Sequence, residues 1–147
     1  MDKVYFKKLK ETAKIPKRAT GGSCGYDITA CIDKKIIINP SEHKLIKTGL
    51  AMQFNDKNFA CFVFPRSGLA VKNGINLINC VGVIDSDYRG EIMVGLKNNS
   101  NEPFTVENGE RIAQLVFMPV SLPETVEADK LNETQRGAGG FGSTGAK

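Results

Sequence analysis

Glu91-Ile92-Met93-Val94-Gly95-Leu96 is the stretch of sequence that decides the fold class. Ile92, Val94 and Leu96 alternate with the other three residues, and a period of two is typical of a β-strand that packs one face against a core. Other short runs rich in β-branched and aromatic residues occupy 4–6, 35–38, 44–46, 59–64 and 111–118. Most of these runs have the length of a strand, so the sequence predicts a chain built mainly of short strands.

Turn-forming residues separate these runs. Clusters of Asn, Asp, Pro, Ser and Gly lie at 39–41, 55–56, 73–74, 98–101 and 108–109, at the short spacing typical of a sandwich or barrel. Only residues 67–71 and 128–132 suit a helical turn or two. The sequence therefore predicts an all-β fold, and a jelly-roll-like β-barrel is the architecture that we expect.

The length of 147 residues suits one domain, and we expect residues 1–135 to form the barrel. The glycine-rich stretch 136–147 has almost nothing to anchor in a core, so we expect a flexible C-terminal arm. The first eleven residues carry four lysines, and no later run reaches the apolar length of a membrane span. We therefore expect no signal peptide, no transmembrane helix and no membrane partner, and an intracellular, cytoplasmic location.

Cysteine spacing and charge limit the kinds of partner. Cys24, Cys31, Cys61 and Cys80 show no CxxC spacing, and His43 is the only histidine, so a zinc site lacks its ligands. The four cysteines are interpreted as reduced intracellular thiols. The net charge of +4 suits an anionic partner, yet Trp is absent and the charge is spread along the chain, which disfavours nucleic acid.

The segment Gly137-Ala138-Gly139-Gly140-Phe141-Gly142 matches the dinucleotide pattern GxGxxG. That pattern requires a following helix and strand, and only five residues remain, so a dinucleotide-binding fold is excluded. A strip of backbone N–H groups is left, flanked by Arg136, Ser143 and Thr144 and carrying the Phe141 ring. Such a strip suits phosphates and a stacked base, although for this segment taken alone a disordered glycine tail is the favoured interpretation.

Two further segments carry groups suited to phosphate chemistry. Pro65-Arg66-Ser67-Gly68 follows an apolar run and exposes a cation and a hydroxyl together, which suits either an anion cradle or an ordinary turn. The segment 82–90 places Asp85 and Asp87 on a hairpin, where a carboxylate serves as a general base for water or merely caps a solvated turn. No Ser or Cys lies in a nucleophile elbow, which disfavours covalent catalysis.

Taken together and in order, five segments resemble the motifs of the trimeric dUTPases of eukaryotic and viral type. The segments are CGYDI at 24–28, PRSGLA at 65–70, GVIDSDYRG at 82–90, GERIAQLVF at 109–117 and RGAGGFGSTG at 136–145. The resemblance implies a homotrimer with active sites shared between subunits. It also implies Mg²⁺-dependent hydrolysis of dUTP to dUMP and pyrophosphate by water attack on the α-phosphorus, which lowers dUTP and supplies dUMP for thymidylate synthesis.

The resemblance assigns a role to each motif. Asp85 is the expected general base, and Asp87 is expected to be structural and charge-paired. Asp27 is expected near the metal, through water, because Mg²⁺ is held mainly by substrate phosphates. The expected phosphate contacts are Arg66, Ser67, Gly68 and Gln114 on the barrel, and Arg136, Gly142, Ser143 and Thr144 on the arm.

The same resemblance implies how the nucleoside is recognised. Backbone groups of Gly82, Val83 and Ile84, with the Asn79 side chain, are expected to pair with the uracil edge. Tyr88 and Met93 are expected beside the deoxyribose, and Phe141 over the uracil ring. Two positions depart from the family pattern or vary within it: Cys24 stands where many members carry Ala, and Asn79 lies in a variable stretch.

Two alternative functions share this scaffold. A dCTP deaminase-like enzyme has the same fold and trimer, but it usually carries a second serine after the Arg-Ser pair, where this chain has Gly68. A non-catalytic nucleotide sensor would retain the phosphate contacts and lose the chemistry, whereas Asp85 and Arg136 are both present here.

Overall fold

The computed structural model describes residues 1 and 3–140, which form an antiparallel β-structure with one short helix. The strands are β1 (Tyr5–Lys8), β2 (Lys17–Arg18), β3 (Tyr26–Thr29), β4 (Ile36–Ile38), β5 (His43–Lys47), β6 (Leu50–Gln53), β7 (Phe59–Phe64), β8 (Ile75–Leu77), β9 (Gly82–Ile84), β10 (Met93–Asn98), β11 (Phe104–Val106) and β12 (Arg111–Pro119). The helix α1 spans Ser67–Asn73. The expected all-β, jelly-roll-like fold is confirmed.

In the described part of the chain, four sheets make up the barrel. A five-stranded sheet has the order β2-β3-β12-β7-β9, and a three-stranded sheet has the order β5-β10-β8. The pairs β1-β6 and β11-β4 complete the structure. β12 lies at the centre of the largest sheet, and its Gln114 pairs with Asp27 of β3 on one side and Phe64 of β7 on the other. This register brings the first, second and fourth motifs together.

The alternating stretch that decides the fold class packs as its period predicts. Ile92, Val94 and Leu96 are 2%, 1% and 1% exposed. Burying an aliphatic side chain of this size contributes about 1.5–3 kcal/mol each. The observed strand begins at Met93 and pairs with β5 and β8, so both edges of β10 are occupied.

The helix expected at 67–71 is present, and its ends have recognisable causes. Arg66 precedes it with an extended backbone, and Gly74 ends it at φ 67°, where its N–H donates to the carbonyl oxygens of Ala70 and Leu69. Glycine adopts this left-handed conformation without steric cost.

The prediction of a helical turn at 128–132 is wrong, since this stretch contains no helix. Val126 is 79% exposed and Leu131 is 80% exposed, so no apolar face is buried there. A helix this short requires tertiary packing to be stable, and the described residues provide none.

The expected hairpin at 82–90 also needs correction. β9 pairs with β7, with Cys61 opposite Ile84, and no β9–β10 ladder is present among the described residues. The reason is that β5 and β8 already occupy both edges of β10. The segment therefore forms a loop that connects two sheets. Along the described part of the chain, no helix is long and apolar enough to cross a membrane.

Candidate active site

A cavity of about 280 Å³ lies between β9 and β10. It contains every residue of the third-motif region that the sequence suggested for nucleoside binding, namely Asn79, Gly82, Val83, Ile84, Asp85, Tyr88 and Met93. Leu45, Val63, Leu77, Glu91, Ile92, Val94 and Gly95 complete its wall. The wall carries two carboxylates and no lysine or arginine. We refer to it as the nucleoside cavity.

The edge strand β9 forms one side of the nucleoside cavity. It is the last strand of its sheet, so one of its backbone edges is paired with β7 and the other has no strand beside it among the described residues. A Cβ atom on Gly82 would lie 3.1 Å from Val63 Cβ and 3.5 Å from Asn79 Nδ2. Glycine therefore lets the backbone of β9 lie close to β7 and to the Asn79 amide.

Asp85 is the first residue after β9 and opens a turn, in which the Tyr88 N–H donates to the Asp85 carbonyl at 3.2 Å. Its side chain is exposed and forms no ion pair or hydrogen bond with the described residues. Asp87 likewise has no ion pair within that part of the chain, because Arg89 donates instead to the carbonyls of Ser86 and Tyr88. The Asp85 carboxylate is thus available to a water molecule at the cavity rim.

The loop after Asp85 is held in place by Glu91. The Tyr88 hydroxyl donates to the Glu91 carbonyl at 3.0 Å, and Glu91 Oε1 accepts from the Gly49 N–H at 2.9 Å. A Cβ atom on Gly90 would overlap the Tyr88 hydroxyl, so glycine is required for this conformation. The sequence did not reveal Glu91 as a site residue, because its partner Gly49 lies 42 residues away.

A second cavity, of about 360 Å³, collects the first, second and fourth motifs. Of the residues expected at the phosphates and metal, it contains Asp27, Arg66, Ser67, Gly68 and Gln114. Ala19, Ser23, Cys24, Gly25 and Arg111 complete its wall. We refer to it as the phosphate cleft.

Asp27 organises the phosphate cleft. Its Oδ1 accepts from Arg66 Nε at 2.9 Å, and its Oδ2 accepts from Arg111 Nη1 at 3.0 Å. Arg66 also donates to the Arg111 carbonyl at 3.4 Å. Two cations against one carboxylate leave a net positive charge, which attracts a phosphate chain. Arg111 was missed from the sequence, where nothing in its segment indicates a partner 84 residues away.

Gln114 is fixed in the same cleft by close packing. Its Nε2 donates to the Pro65 carbonyl at 3.1 Å. A Cβ atom on Gly25 would overlap Gln114 Oε1, so the amide occupies space that only a glycine leaves open.

The two cavities have no wall residue in common. The expected general base and the groups expected to recognise the nucleobase thus lie in one cavity. The barrel groups expected to bind phosphate lie in the other. Arg136 lines neither cavity, and its Nε donates to the Gly139 carbonyl at 2.9 Å. Phe141, Gly142, Ser143 and Thr144 lie outside the described residues.

Metal ligation is limited to what Asp27 offers. Among the described residues no group of three His, Cys, Asp or Glu side chains is placed to hold a metal ion. Both Asp27 oxygens already accept from guanidinium groups, which leaves lone pairs for water rather than a full coordination site. These residues fit a Mg²⁺ ion that is bound mainly by phosphate oxygens and keeps several waters.

Comparison with known proteins gives consistent matches. A family model described as dUTPase matches residues 11–145. The deoxyuridine 5'-triphosphate nucleotidohydrolase of Desulfitobacterium hafniense (strain DSM 10664 / DCB-2) is 50% identical over 143 residues, covering 97% of this chain and 95% of the relative. The solved structure of the Staphylococcus bacteriophage 80alpha dUTPase with dUPNHPP has a TM-score of 0.87 at 26% identity and covers 99% of each chain. A structure of a mutant dUTPase from phage phi11 of S. aureus, described as coordinating a structural Mg(II) ion, has a TM-score of 0.80 at 22% identity, covering 90% of this chain and all of the other.

Proposed function

Because this chain belongs to the dUTPase family and hydrolyses dUTP to dUMP and pyrophosphate, we propose that its two cavities act together on one substrate. The nucleoside cavity takes the deoxyuridine, and the phosphate cleft takes the triphosphate. The single observation that carries this proposal is the separation of charge: the nucleoside cavity has carboxylates and no cation, whereas the phosphate cleft has Arg66 and Arg111.

The separation of the two cavities on one chain supports the homotrimer. A dUTP molecule requires both surfaces at once, and on one chain they are separate cavities with no common wall residue. A closed cyclic trimer would place the nucleoside cavity of one subunit against the phosphate cleft of the next, giving three equivalent shared sites. Light scattering tests this proposal, since the particle should have three times the chain mass of 16.0 kDa. A fully active monomer at every concentration would overturn it.

In the proposed mechanism, Asp85 accepts a proton from a water molecule whose oxygen forms a bond to the α-phosphorus. The bond from that phosphorus to the bridging oxygen breaks in line, and pyrophosphate leaves. Arg66 and Arg111, held by Asp27, balance the negative charge on the chain of phosphates, with Gln114 beside the α-phosphate. A bound Mg²⁺ ion would neutralise phosphate charge, and Asp27 would contact it through water. A structural Mg(II) ion is described for a mutant dUTPase from phage phi11 of S. aureus, so an enzyme of this fold does bind Mg²⁺, although that ion is not assigned to the phosphate site.

Uracil recognition is proposed to use the open edge of β9. Backbone N–H and C=O groups of Gly82, Val83 and Ile84, with the Asn79 amide, would pair with the uracil edge. Cytosine presents its donor and acceptor in exchanged positions and would leave these groups unpaired, at a cost of about 1–3 kcal/mol for each group. Tyr88 and Met93 would pack against the deoxyribose and exclude a 2′-hydroxyl.

The barrel of residues 1–135 is proposed to work with an arm of residues 136–147. In this proposal, Phe141 covers the uracil, while Arg136, Gly142, Ser143 and Thr144 contact the outer phosphates. Closure of such an arm would exclude water from the site. The described residues support an arm to the extent that the last strand ends at Pro119 and residues 121–138 are exposed.

The location of the enzyme is proposed to be intracellular and cytoplasmic. All four cysteines are free thiols, which suits a reducing compartment.

Pyrophosphate release from dUTP, UTP, dCTP and dTTP, each with Mg²⁺, tests the proposed specificity. We expect release from dUTP at a rate at least about 100-fold above each of the others. Comparable rates for UTP would exclude the role of Tyr88. Ammonia release from dCTP would indicate the deaminase activity, which neither the family match nor the relatives' names favour.

A further inference from the structure

A third cavity, of about 590 Å³, is larger than the two that form the proposed substrate site. It lies between the N-terminal segment and the sheet formed by β2, β3 and β12. Its wall consists of Lys8, Thr12, Ala13, Lys14, Ile15, Lys17, Arg18, Ala19, Asp27, Thr29 and Arg111. We refer to it as the basic cavity.

The charge of the basic cavity is strongly positive. Five cationic side chains face one carboxylate, and that carboxylate, Asp27, already accepts from Arg66 and Arg111. The side chains of Lys14 and Lys17 form no ion pair or hydrogen bond with the described residues. Because few negative charges balance these cations around a concave surface, the cavity favours an anionic ligand.

A buried hydroxyl in the wall gives an independent indication. Thr29 is only 8% exposed, and its Oγ1 is buried without a hydrogen-bond partner among the described residues. Buried polar groups in folded proteins are nearly always hydrogen-bonded, so this donor calls for an acceptor. Thr29 lines the basic cavity, so an oxygen-rich ligand there would provide one once the side chain rotates to turn its hydroxyl toward the cavity.

The basic cavity adjoins the phosphate cleft. The two have Ala19, Asp27 and Arg111 in common, so the Asp27–Arg111 ion pair separates one from the other. An anion in the basic cavity would therefore compete with Asp27 for the Arg111 guanidinium. Such competition would loosen the arrangement that holds Arg66 in the phosphate cleft.

We propose that the basic cavity is a second anion site, distinct from the substrate site, and that it takes condensed phosphate of the kind the enzyme releases. Pyrophosphate carries several negative oxygens, which match the ammonium, guanidinium and hydroxyl donors of this wall. Its binding weakens the phosphate cleft through Arg111. Pyrophosphate therefore inhibits the enzyme even when dUTP saturates the substrate site.

The test is calorimetric titration of the full chain with pyrophosphate, in Mg²⁺ buffer, after the substrate site has been saturated with dUpNHpp. We expect residual binding of one pyrophosphate per chain. In the double variant Lys14→Gln/Lys17→Gln this binding should weaken about 10-fold or more, since two charge-assisted contacts are lost. The double variant should hydrolyse dUTP with an unchanged kcat/KM at low product concentration, because neither lysine lines the two substrate cavities.

Two controls make the outcome decisive. Lys57→Gln/Lys72→Gln removes the same charge from exposed lysines outside the basic cavity and should leave the residual binding unchanged. Thr29→Val should weaken pyrophosphate binding without lowering the melting temperature, because the hydroxyl has no partner to lose among the described residues. No residual binding in the presence of dUpNHpp, or equal residual binding in both lysine double variants, would overturn the proposal.

A protein ligand is the competing occupant. Residues 124–133 of this chain carry Glu124, Glu127, Asp129 and Glu133 against one lysine, so the same segment of a second copy is complementary in charge. Pyrophosphate binding that appears only after these four carboxylates are changed to the corresponding amides would show that the cavity holds this segment, and would overturn the anion site.

Discussion

Gln114 and Gly25 fit together only because residue 25 has no side chain: a Cβ atom there would overlap the Gln114 amide oxygen. The contact crosses two paired strands, since Gln114 of β12 lies opposite Asp27 of β3, two residues beyond Gly25. Gly25→Ala should displace the amide and break its hydrogen bond to Pro65. We expect dUTP turnover to fall by about 10–100-fold, because small displacements of positioning groups have effects of this size.

The matched control for this change is Gly22→Ala, since a Cβ atom on Gly22 meets no atom within 4 Å. Steady-state kinetics and thermal melting of both variants provide the measurement. If Gly25→Ala retained full turnover, Gln114 would not need its observed position.

Asp85→Asn should preserve the shape of the nucleoside cavity while removing the group that accepts the proton from water. We expect kcat to fall by about 10²–10⁴-fold with little change in KM. Asp87→Asn is the comparison, because Asp87 lies in the same turn and does not line the cavity. A variant at Asp85 with nearly normal turnover, together with an inactive variant at Asp87, would transfer the role of base to Asp87.

Arg111→Gln should reduce kcat/KM for dUTP by about 10-fold, because Asp27 would then hold Arg66 alone and the cleft would lose one positive charge. The melting temperature should change little, since the Arg111 side chain is 55% exposed. The experiment combines dUTP kinetics with calorimetry. A large loss of stability with unaltered kinetics would assign Arg111 to the fold instead of the site.

A chain that ends before Arg136 should keep its melting temperature and its mass in solution while losing most of its dUTP hydrolysis. The reason is that the removed residues follow an exposed stretch and contribute no strand within the described residues. Phe141→Ala in the full chain should reproduce part of the loss, by about 1–3 kcal/mol in the free energy of activation, if its ring stacks on uracil. Undiminished hydrolysis by the truncated protein would show that the arm is only a tail.

Thiol reactivity should divide the cysteines into two pairs. Burial raises the pKa of the Cys61 thiol to about 12, because the interior disfavours the charged thiolate. Cys61 therefore stays protonated and unreactive at pH 8, and buried Cys31 is shielded as well, whereas Cys24 and Cys80 are exposed. Mass spectrometry after iodoacetamide treatment at pH 8 should find two adducts per native chain and four after unfolding. Rapid labelling of Cys61 in the native protein would contradict this assignment.

Local pattern was sufficient to predict the longer strands. The run at 59–64 coincides with β7, and the alternating Ile92, Val94 and Leu96 occupy the core. Of the strands with two to four residues, β1 and β4 overlap predicted runs, but others, among them β2 and β9, were missed because so short a segment has no measurable period. Their conformation comes from pairing with β3 and β7 rather than from their own composition.

For the candidate site too, local pattern predicted some residues, and others are defined only by pairing in the folded chain. Motif residues expected in one region, such as Asn79 and Met93, do line one cavity. Arg111 and Glu91 could not be inferred, since their partners lie 84 and 42 residues away along the chain and only the folded register brings them together. The division of the motifs between two cavities is also a property of the folded chain, which no local pattern contains.

The open edge of β9 has a consequence for association as well as for recognition. Unpaired strand edges act as templates for other chains, and native proteins limit them by keeping the strand short. With three residues β9 is about 10 Å long, too short to support a stable intermolecular ladder but sufficient to face a single pyrimidine. In the proposed recognition of uracil, the nucleobase would take the place of a neighbouring strand at β9, and the open edge of that strand is no longer than one base can cover.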